Sequence, residues 1–112
     1  MNFEAWTMTT FDKREDGFEK KFAHDEELRF RATARRNKKL AAWAAEKLGR
    51  TDADAYFKEV MAADFEEAGD DDEIRKIVAD FGKAGVDQSE HQIRRTLDEL
   101  MATAINEIKE GK

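Results

Sequence analysis

Residues 69–90 read GDDDEIRKIVADFGKAGVDQSE, and they carry the start and stop signals of a helix. Asp70 followed three residues later by Glu73 matches the pattern of a capping box. In such a box the first side chain accepts a hydrogen bond from a free backbone N–H at a helix start, and the second bonds back. Apolar residues then recur three or four positions apart until Gly85. Glycine accepts the left-handed conformation that closes a last helical turn. The stretch therefore predicts one complete helix with a short connection to the next.

The same start and stop signals lie on both sides of that helix. Capping boxes also occur at Thr51 with Asp54 and at Asp87 with Glu90. A glycine stands one or two residues before each of the three boxes, as expected where one helix ends and another begins. These glycines are Gly49, Gly69 and Gly85. The alternation of stop and start signals predicts four helices joined by short connections.

Each predicted helix carries an apolar stripe that must be buried against another element. The stripes are Leu40, Trp43, Ala44 and Leu48, then Phe57, Val60, Met61 and Phe65, then Ile74, Ile77, Val78 and Phe81, and finally Ile93, Leu97, Leu100, Met101, Ala104, Ile105 and Ile108. A small bundle buries all four stripes. The predicted fold class is therefore all-α, a four-helix bundle.

Composition agrees with this fold and excludes several classes of protein. The 112 residues fit one domain, and the absence of Pro permits long helices. The absence of Cys excludes disulfides, thiolate zinc sites and cysteine nucleophiles. No apolar run approaches the roughly 20 residues that a membrane helix needs, so we expect a soluble intracellular protein. The net charge of -6 is concentrated in the second half of the chain, which predicts oriented docking on a charged partner.

The N-terminal region differs from the rest of the chain. Phe11, Phe18 and Phe22 fall in one narrow sector of a helix at about 100° per residue, but the residues around them are mostly charged. We therefore expect residues 1–20 to form a flexible, partner-binding N-terminal arm and residues 21–112 to form the four-helix domain. The three phenylalanines either bind a groove on a partner or pack back on the chain's own bundle.

A run of six cations within eleven residues contains no acid and could bind nucleic acid or an acidic protein surface. Its members are Arg29, Arg31, Arg35, Arg36, Lys38 and Lys39. The alternative is a solvated helix face that pairs with the bundle's own acids. The net acidity and the absence of a known nucleic-acid motif favour this alternative.

The sequence predicts no catalytic, cofactor-binding or metal-binding residue. The acids at residues 70–73 lack the alternating spacing and the glycine of a calcium loop, and a helix start explains them. His24 and His91 lie too far apart in sequence to form a two-histidine metal pair at helical spacing. His24, among acids, is either a pH sensor or simply a surface residue. No phosphate loop, dinucleotide fingerprint or nucleophile elbow is present, so we expect no enzyme activity.

Three segments, taken in order and spacing, resemble the zeta subunit family of alphaproteobacterial F-type ATP synthases. They read FAHDEELRF at residues 22–30, ARRNKKLAAWAAEKLG at residues 34–49 and ADFEEAGD at residues 63–70. The resemblance covers essentially residue 8 to the end. Residues 1–7 depart from it, because the family usually begins at a position similar to Met8.

This resemblance implies an inhibitory regulatory subunit that blocks ATP hydrolysis by inserting its N-terminal arm between the catalytic subunits of the synthase head. The implied partners are the alpha, beta and gamma subunits, without nucleic acid and without direct membrane insertion. A free monomer is implied, in the cytoplasm and peripheral to the inner membrane through the synthase. The implied partner-binding residues are Thr9, Thr10, Phe11, Asp12, Arg14, Glu15, Phe18, Glu19 and Phe22.

Two other classes of function stay open from the residues alone. One is a helical nucleic-acid-associated regulator that uses the basic run at residues 29–39, and its affinity would fall steeply with salt. The other is a general helical adaptor with no link to ATP synthase.

Overall fold

The computed structural model describes the backbone of residues 3–63 and 70–112, and the side chains of residues 24–63 and 70–112. Four helices occur in these ranges, and no strand does. They are α1 (Phe3–Lys47), α2 (Ala53–Ala63), α3 (Asp71–Ala84) and α4 (Glu90–Lys109). The predicted all-α fold with four helices is confirmed.

The chain divides into two compact units, Met1–Arg31 and Ala32–Lys112. The second unit contains the last part of α1 and the whole of α2, α3 and α4. The arm predicted for residues 1–20 falls on side chains outside the described part of the chain. Its flexibility and its boundary therefore stay predictions.

Glycines end two of the helices in the way that the sequence predicts. Gly49 has φ of 73° and Gly85 has φ of 69°, both in the left-handed region. The backbone N–H of Arg50 donates to the carbonyl oxygen of Ala45 at 2.9 Å, a bond that satisfies a carbonyl of the last turn of α1. The stops at Gly49 and Gly85 are confirmed, whereas Gly69 lies outside the described residues.

The start of α4 differs from its prediction. Ser89, not Asp87, is the N-cap: its Oγ accepts from the backbone N–H of Gln92 at 3.1 Å, and its own N–H donates to the Gln92 Oε1 at 2.8 Å. The box predicted at Asp87 and Glu90 is wrong because Val86 still belongs to the turn that closes α3. Ser89 has the extended backbone of an N-cap residue, with φ of -77° and ψ of 161°.

The first two boxes are also corrected. Asp70 does stand at the N-cap of α3, but its side chain makes no capping hydrogen bond, because the carboxylate pairs with Arg36. Glu73, the predicted second member of that box, is buried. α2 begins at Ala53, so Asp52 rather than Thr51 is the residue before the helix.

The core lies in the second unit and draws on all four helices. It comprises Leu40, Ala41, Ala44, Ala45, Tyr56, Val60, Ile74, Ile77, Phe81, Ile93 and Leu97. The predicted stripes supply most of these residues. Val78 is an exception, since 36% of it is exposed, and α1 packs through more alanines than its stripe contains. Trp43 of α1 also packs against this core, through an edge-on contact with Phe81 in which the ring centroids lie 5.7 Å apart.

Candidate functional site

The nine predicted partner-binding residues all lie in the first half of α1, which runs from Phe3 to Lys47. The backbone there is helical, and their side chains lie outside the described part of the chain. Their contacts with a partner therefore stay a prediction. What the structure describes is the segment of α1 that follows them.

That following segment presents a mixed charged and aromatic surface. The acids at residues 25–27 are exposed, and so are Arg29 and Arg31. Phe30 stands between the two arginines with 77% of its surface exposed. A large apolar side chain therefore lies in solvent between two cations on α1.

Arg36 points into the bundle instead of lying on a basic face. Only 7% of its side chain is exposed, and its Nη2 lies 2.7 Å from the Asp70 Oδ1. Its Nη1 donates to the Asp70 Oδ2 at 3.3 Å, and its Nε and Nη2 both donate to the Asn37 Oδ1. Such a forked, charge-assisted arrangement fixes direction as well as distance. It ties α1 to the start of α3.

A second ion-pair cluster ties α1 to α4. The Glu107 carboxylate lies 2.9 Å from the Lys39 Nζ and 3.5 Å from the Arg35 Nη1. The hydrogen bond from Lys39 and the charges of both cations lower the pKa of Glu107 below its ordinary value. Two of the six cations in the basic run therefore serve one acid of the bundle.

The basic run is thus divided in the folded chain. Arg36 is buried, Arg35 and Lys39 are paired, and Arg29, Arg31 and Lys38 are exposed. A nucleic-acid groove needs several cations free to reach phosphates along one surface. Three of the six serve the protein itself, which agrees with the alternative that the run pairs with the bundle's own acids.

Sequence reasoning missed a polar cluster between α2 and α3. The Tyr56 hydroxyl donates to the Asp80 Oδ2 at 2.8 Å, and the Lys76 Nζ donates to the same oxygen at 2.9 Å. The Arg50 guanidinium lies 4.8 Å from the centroid of the Tyr56 ring, at cation–π distance. The four-residue spacing of Lys76 and Asp80 was a visible signal for their ion pair. Nothing in the sequence indicated that the pair would meet a tyrosine of another helix.

Burial and hydrogen bonding set the protonation states in this cluster. Burial raises the pKa of Tyr56 well above its ordinary value, and the hydrogen bond to Asp80 raises it further. Burial alone would raise the pKa of Asp80, but the hydrogen bonds from Lys76 and Tyr56 outweigh it and lower that pKa. The cluster therefore joins a neutral phenol to an ionised carboxylate at neutral pH.

The acids at the start of α3 bind protein cations. Asp70 pairs with Arg36, Asp71 lies 3.0 Å from the Arg94 Nη2, and the Asp72 carboxylate lies 2.6 Å from the Arg75 Nη2. No group of three His, Asp or Glu side chains is placed to hold a metal ion within residues 24–63 and 70–112. Within the same ranges, no helix is long and apolar enough to cross a membrane.

These features together indicate a class of protein. The chain is a small helical protein whose charged side chains tie its own helices together, and whose described α1 surface exposes an aromatic residue. Aromatic residues are enriched where proteins bind each other, so the described surface favours a protein-binding class.

Comparison with known families agrees with this class. The family model for ATPase inhibitor subunit zeta matches residues 8–107. Because the match covers most of the chain, the protein belongs to the ATPase inhibitor subunit zeta family. The match confirms the resemblance seen in the sequence, and it leaves residues 1–7 outside, as that resemblance predicts. No curated protein matches the chain significantly.

Proposed function

We propose that this protein inhibits ATP hydrolysis by an F-type ATP synthase, through insertion of its N-terminal arm between the catalytic subunits of the synthase head. The alpha, beta and gamma subunits are the proposed partners of a protein that is monomeric when free. It is cytoplasmic and reaches the inner membrane only through the synthase. The observation that carries the proposal is the family match, which spans residues 8–107 and so covers residues 8–20 of the proposed arm and most of the four-helix domain.

An inhibitor of this kind needs no chemistry of its own. The rotary head passes through several states in turn, and a wedge that binds one state better than the others raises the cost of leaving it. The strength of inhibition is then set by how much more tightly the protein binds that state than the others, not by its total affinity. An arm that enters a cleft open in only one state meets this requirement.

The core supports a division between folding and inhibition. Apart from Ala32, every buried apolar residue of the described chain lies at Leu40 or later. The bundle therefore has a core to which the arm phenylalanines do not need to contribute. A change in the arm can accordingly alter inhibition without altering the stability of the bundle.

Burial of Phe11, Phe18 and Phe22 is not enough to drive binding of the arm and the residues that follow it. Ordering the residues from Phe11 to Phe22 costs more conformational entropy than the burial of three aromatic side chains returns. Helix hydrogen bonds, charge pairs and further contacts must contribute the rest. We therefore expect a cleft that encloses the arm, together with additional contacts outside it.

The decisive experiment compares the parent with a double variant that carries both Phe11→Ala and Phe18→Ala. Each protein is titrated onto purified cognate synthase head that has been depleted of its inhibitor. The matched control is Val78→Ala, which truncates an exposed apolar residue on α3. We expect the double variant to lose inhibition of ATP hydrolysis, and both the parent and the control to retain it. Melting curves on the same samples should coincide within error.

Two results would contradict the proposal. If the parent chain does not inhibit its cognate head, the proposed function is wrong. If the double phenylalanine variant inhibits as well as the parent, the arm is not the inhibitory element.

The proposed boundary between arm and domain has its own test. Deletion of residues 1–20 should leave the melting temperature of residues 21–112 nearly unchanged. A fall of more than about 5 °C, close to 1 kcal/mol for a domain of this size, would show that the arm packs on the bundle.

A further inference from the structure

Phe30 is the most exposed large apolar side chain in the described part of the chain. It is 77% exposed, and Val78 on α3, at 36%, is the other large apolar side chain that lies exposed there. A phenylalanine buries a large area when it enters a pocket, and aromatic residues are enriched where proteins bind each other. Phe30 is therefore suited to be an anchor for a partner.

The charges beside Phe30 are also available to a partner. Arg29 and Arg31 are both exposed to solvent. Arginine is weakly hydrated and its fork matches a carboxylate, so exposed arginines beside an exposed aromatic favour carboxylates around an apolar pocket.

The same charges argue against a second copy of this chain as the occupant. In a two-fold contact centred on Phe30, each partner presents the same patch. Either orientation of the two helices sets Arg29 and Arg31 of one copy against the same arginines of the other. Like charges in contact disfavour such pairing.

Position on α1 indicates which partner meets Phe30. It lies eight residues after Phe22, which is about 12 Å along a helix at 1.5 Å per residue. Both residues belong to the unit Met1–Arg31. A partner that holds the arm therefore has its surface beside Phe30, where the additional contacts that the arm needs can form.

We infer that Phe30, with Arg29 and Arg31, forms a second anchor outside the arm, which fills an apolar pocket on the catalytic head, and that the rim of this pocket carries carboxylates where it meets the two arginines. This inference rests on the proposed function, because the head is the partner that the arm binds. The exposed acids at residues 25–27 lie one turn nearer the arm. The complementary rim is therefore cationic on the arm side and acidic beside the arginines.

The test uses the full chain and inhibitor-depleted cognate head, with association and dissociation rates measured at low and high salt. Phe30→Ala should raise Kd about tenfold or more, mainly through faster dissociation and equally at both salt concentrations. The double variant Arg29→Gln with Arg31→Gln should instead slow association at low salt, with a smaller effect at high salt. Val78→Ala should bind as the parent does.

Several outcomes would overturn the inference. If the parent inhibits and Phe30→Ala binds equally well, the second anchor is wrong while the proposed function stands. If Phe30→Ala lowers the melting temperature by more than about 4–8 °C, the ring packs on its own chain. If the parent sediments as a dimer that Phe30→Ala dissociates, the occupant is a second copy. If the parent itself does not inhibit, the proposed function fails first.

Discussion

Substitution of Asp70 alone should lower the free energy of unfolding more than substitution of both Asp70 and its partner Arg36. The Arg36 side chain is 7% exposed, whereas the Asp70 side chain is 44% exposed. Asp70→Ala therefore leaves a cation buried with only Asn37 to accept its hydrogen bonds. Arg36→Met leaves a carboxylate that water can reach. Which partner is removed decides the cost, because only a buried charge suffers when it loses its counter-ion.

The magnitudes follow from these exposures. Breaking a fully buried pair costs about 3–5 kcal/mol. Since Asp70 is close to half exposed, we expect Asp70→Ala to cost about 2–3 kcal/mol, at or below the lower end of that range. Arg36→Met removes the guanidinium group but keeps an apolar side chain about as long as the arginine stem, so it should cost about 1 kcal/mol. The double variant should resemble Arg36→Met at about 1 kcal/mol, so it should be about 1–2 kcal/mol more stable than Asp70→Ala, and the coupling between the two sites is about 2–3 kcal/mol.

The assay is a double-mutant cycle from urea denaturation followed by circular dichroism, with two-state behaviour checked by near-ultraviolet signals. The contribution of Asp70 as an acid near the start of α3 is absent from both Asp70→Ala and the double variant, so it cancels from their comparison. The diagnostic result is that adding Arg36→Met to Asp70→Ala restores stability. If the two changes are additive, Arg36 is not a buried charge that depends on Asp70, and the reasoning fails.

Three further predictions follow from single sites. Gly82→Ala should stabilise by up to about 1 kcal/mol because Gly82 is helical with open space at its Cβ position, while Gly85→Ala should destabilise by about 1–2 kcal/mol because its φ is +69°. Denaturation of both measures the difference, and the opposite order would refute it. Leu97→Ala should cost about 2–5 kcal/mol, since Leu97 is 5% exposed in the core, and a loss below about 0.5 kcal/mol would contradict its burial. The pKa of Asp80 is lower in the folded protein than its ordinary value of 3.8. The ionised carboxylate therefore contributes its full stabilisation above pH 3.8, and this stabilisation is lost as the pH falls through the pKa of the folded state. Tyr56→Phe removes one of the hydrogen bonds that lower this pKa, so acid unfolding followed by circular dichroism should begin at higher pH, and an unshifted midpoint would count against that hydrogen bond.

The sequence predicted the helices well because their signals are local. Gly49 and Gly85 end helices through a backbone conformation that glycine adopts without strain, so no knowledge of tertiary contacts was needed. The helix starts were harder, because several polar residues near each start could serve as caps. The sequence pattern predicts a cap at Asp87. The turn after Gly85 still includes Val86, however, and Ser89 is the residue whose side chain caps α4.

The site was less predictable because its contacts join residues distant in sequence. The inward direction of Arg36 had a signal, since it stands four residues before Leu40 and so shares the face that enters the core. Its partner Asp70 is 34 residues away, and local patterns cannot choose that acid among the others. The contacts of the arm depend on a groove that belongs to another molecule. Sequence spacing therefore indicates which arm residues share a face, but not what they touch.

Tyr56 gives this protein a native optical probe. It is the only tyrosine of the chain, and its hydroxyl bonds across from α2 to α3. Ionisation of a phenol changes its ultraviolet absorption. Burial and the hydrogen bond to Asp80 raise the pKa of Tyr56, so its hydroxyl stays protonated to higher pH while the two helices are in contact. In an alkaline pH jump, the appearance of phenolate absorption would therefore time the separation of α2 from α3. Opening of this helix pair, alone or bound to a partner, can be followed without attaching any dye.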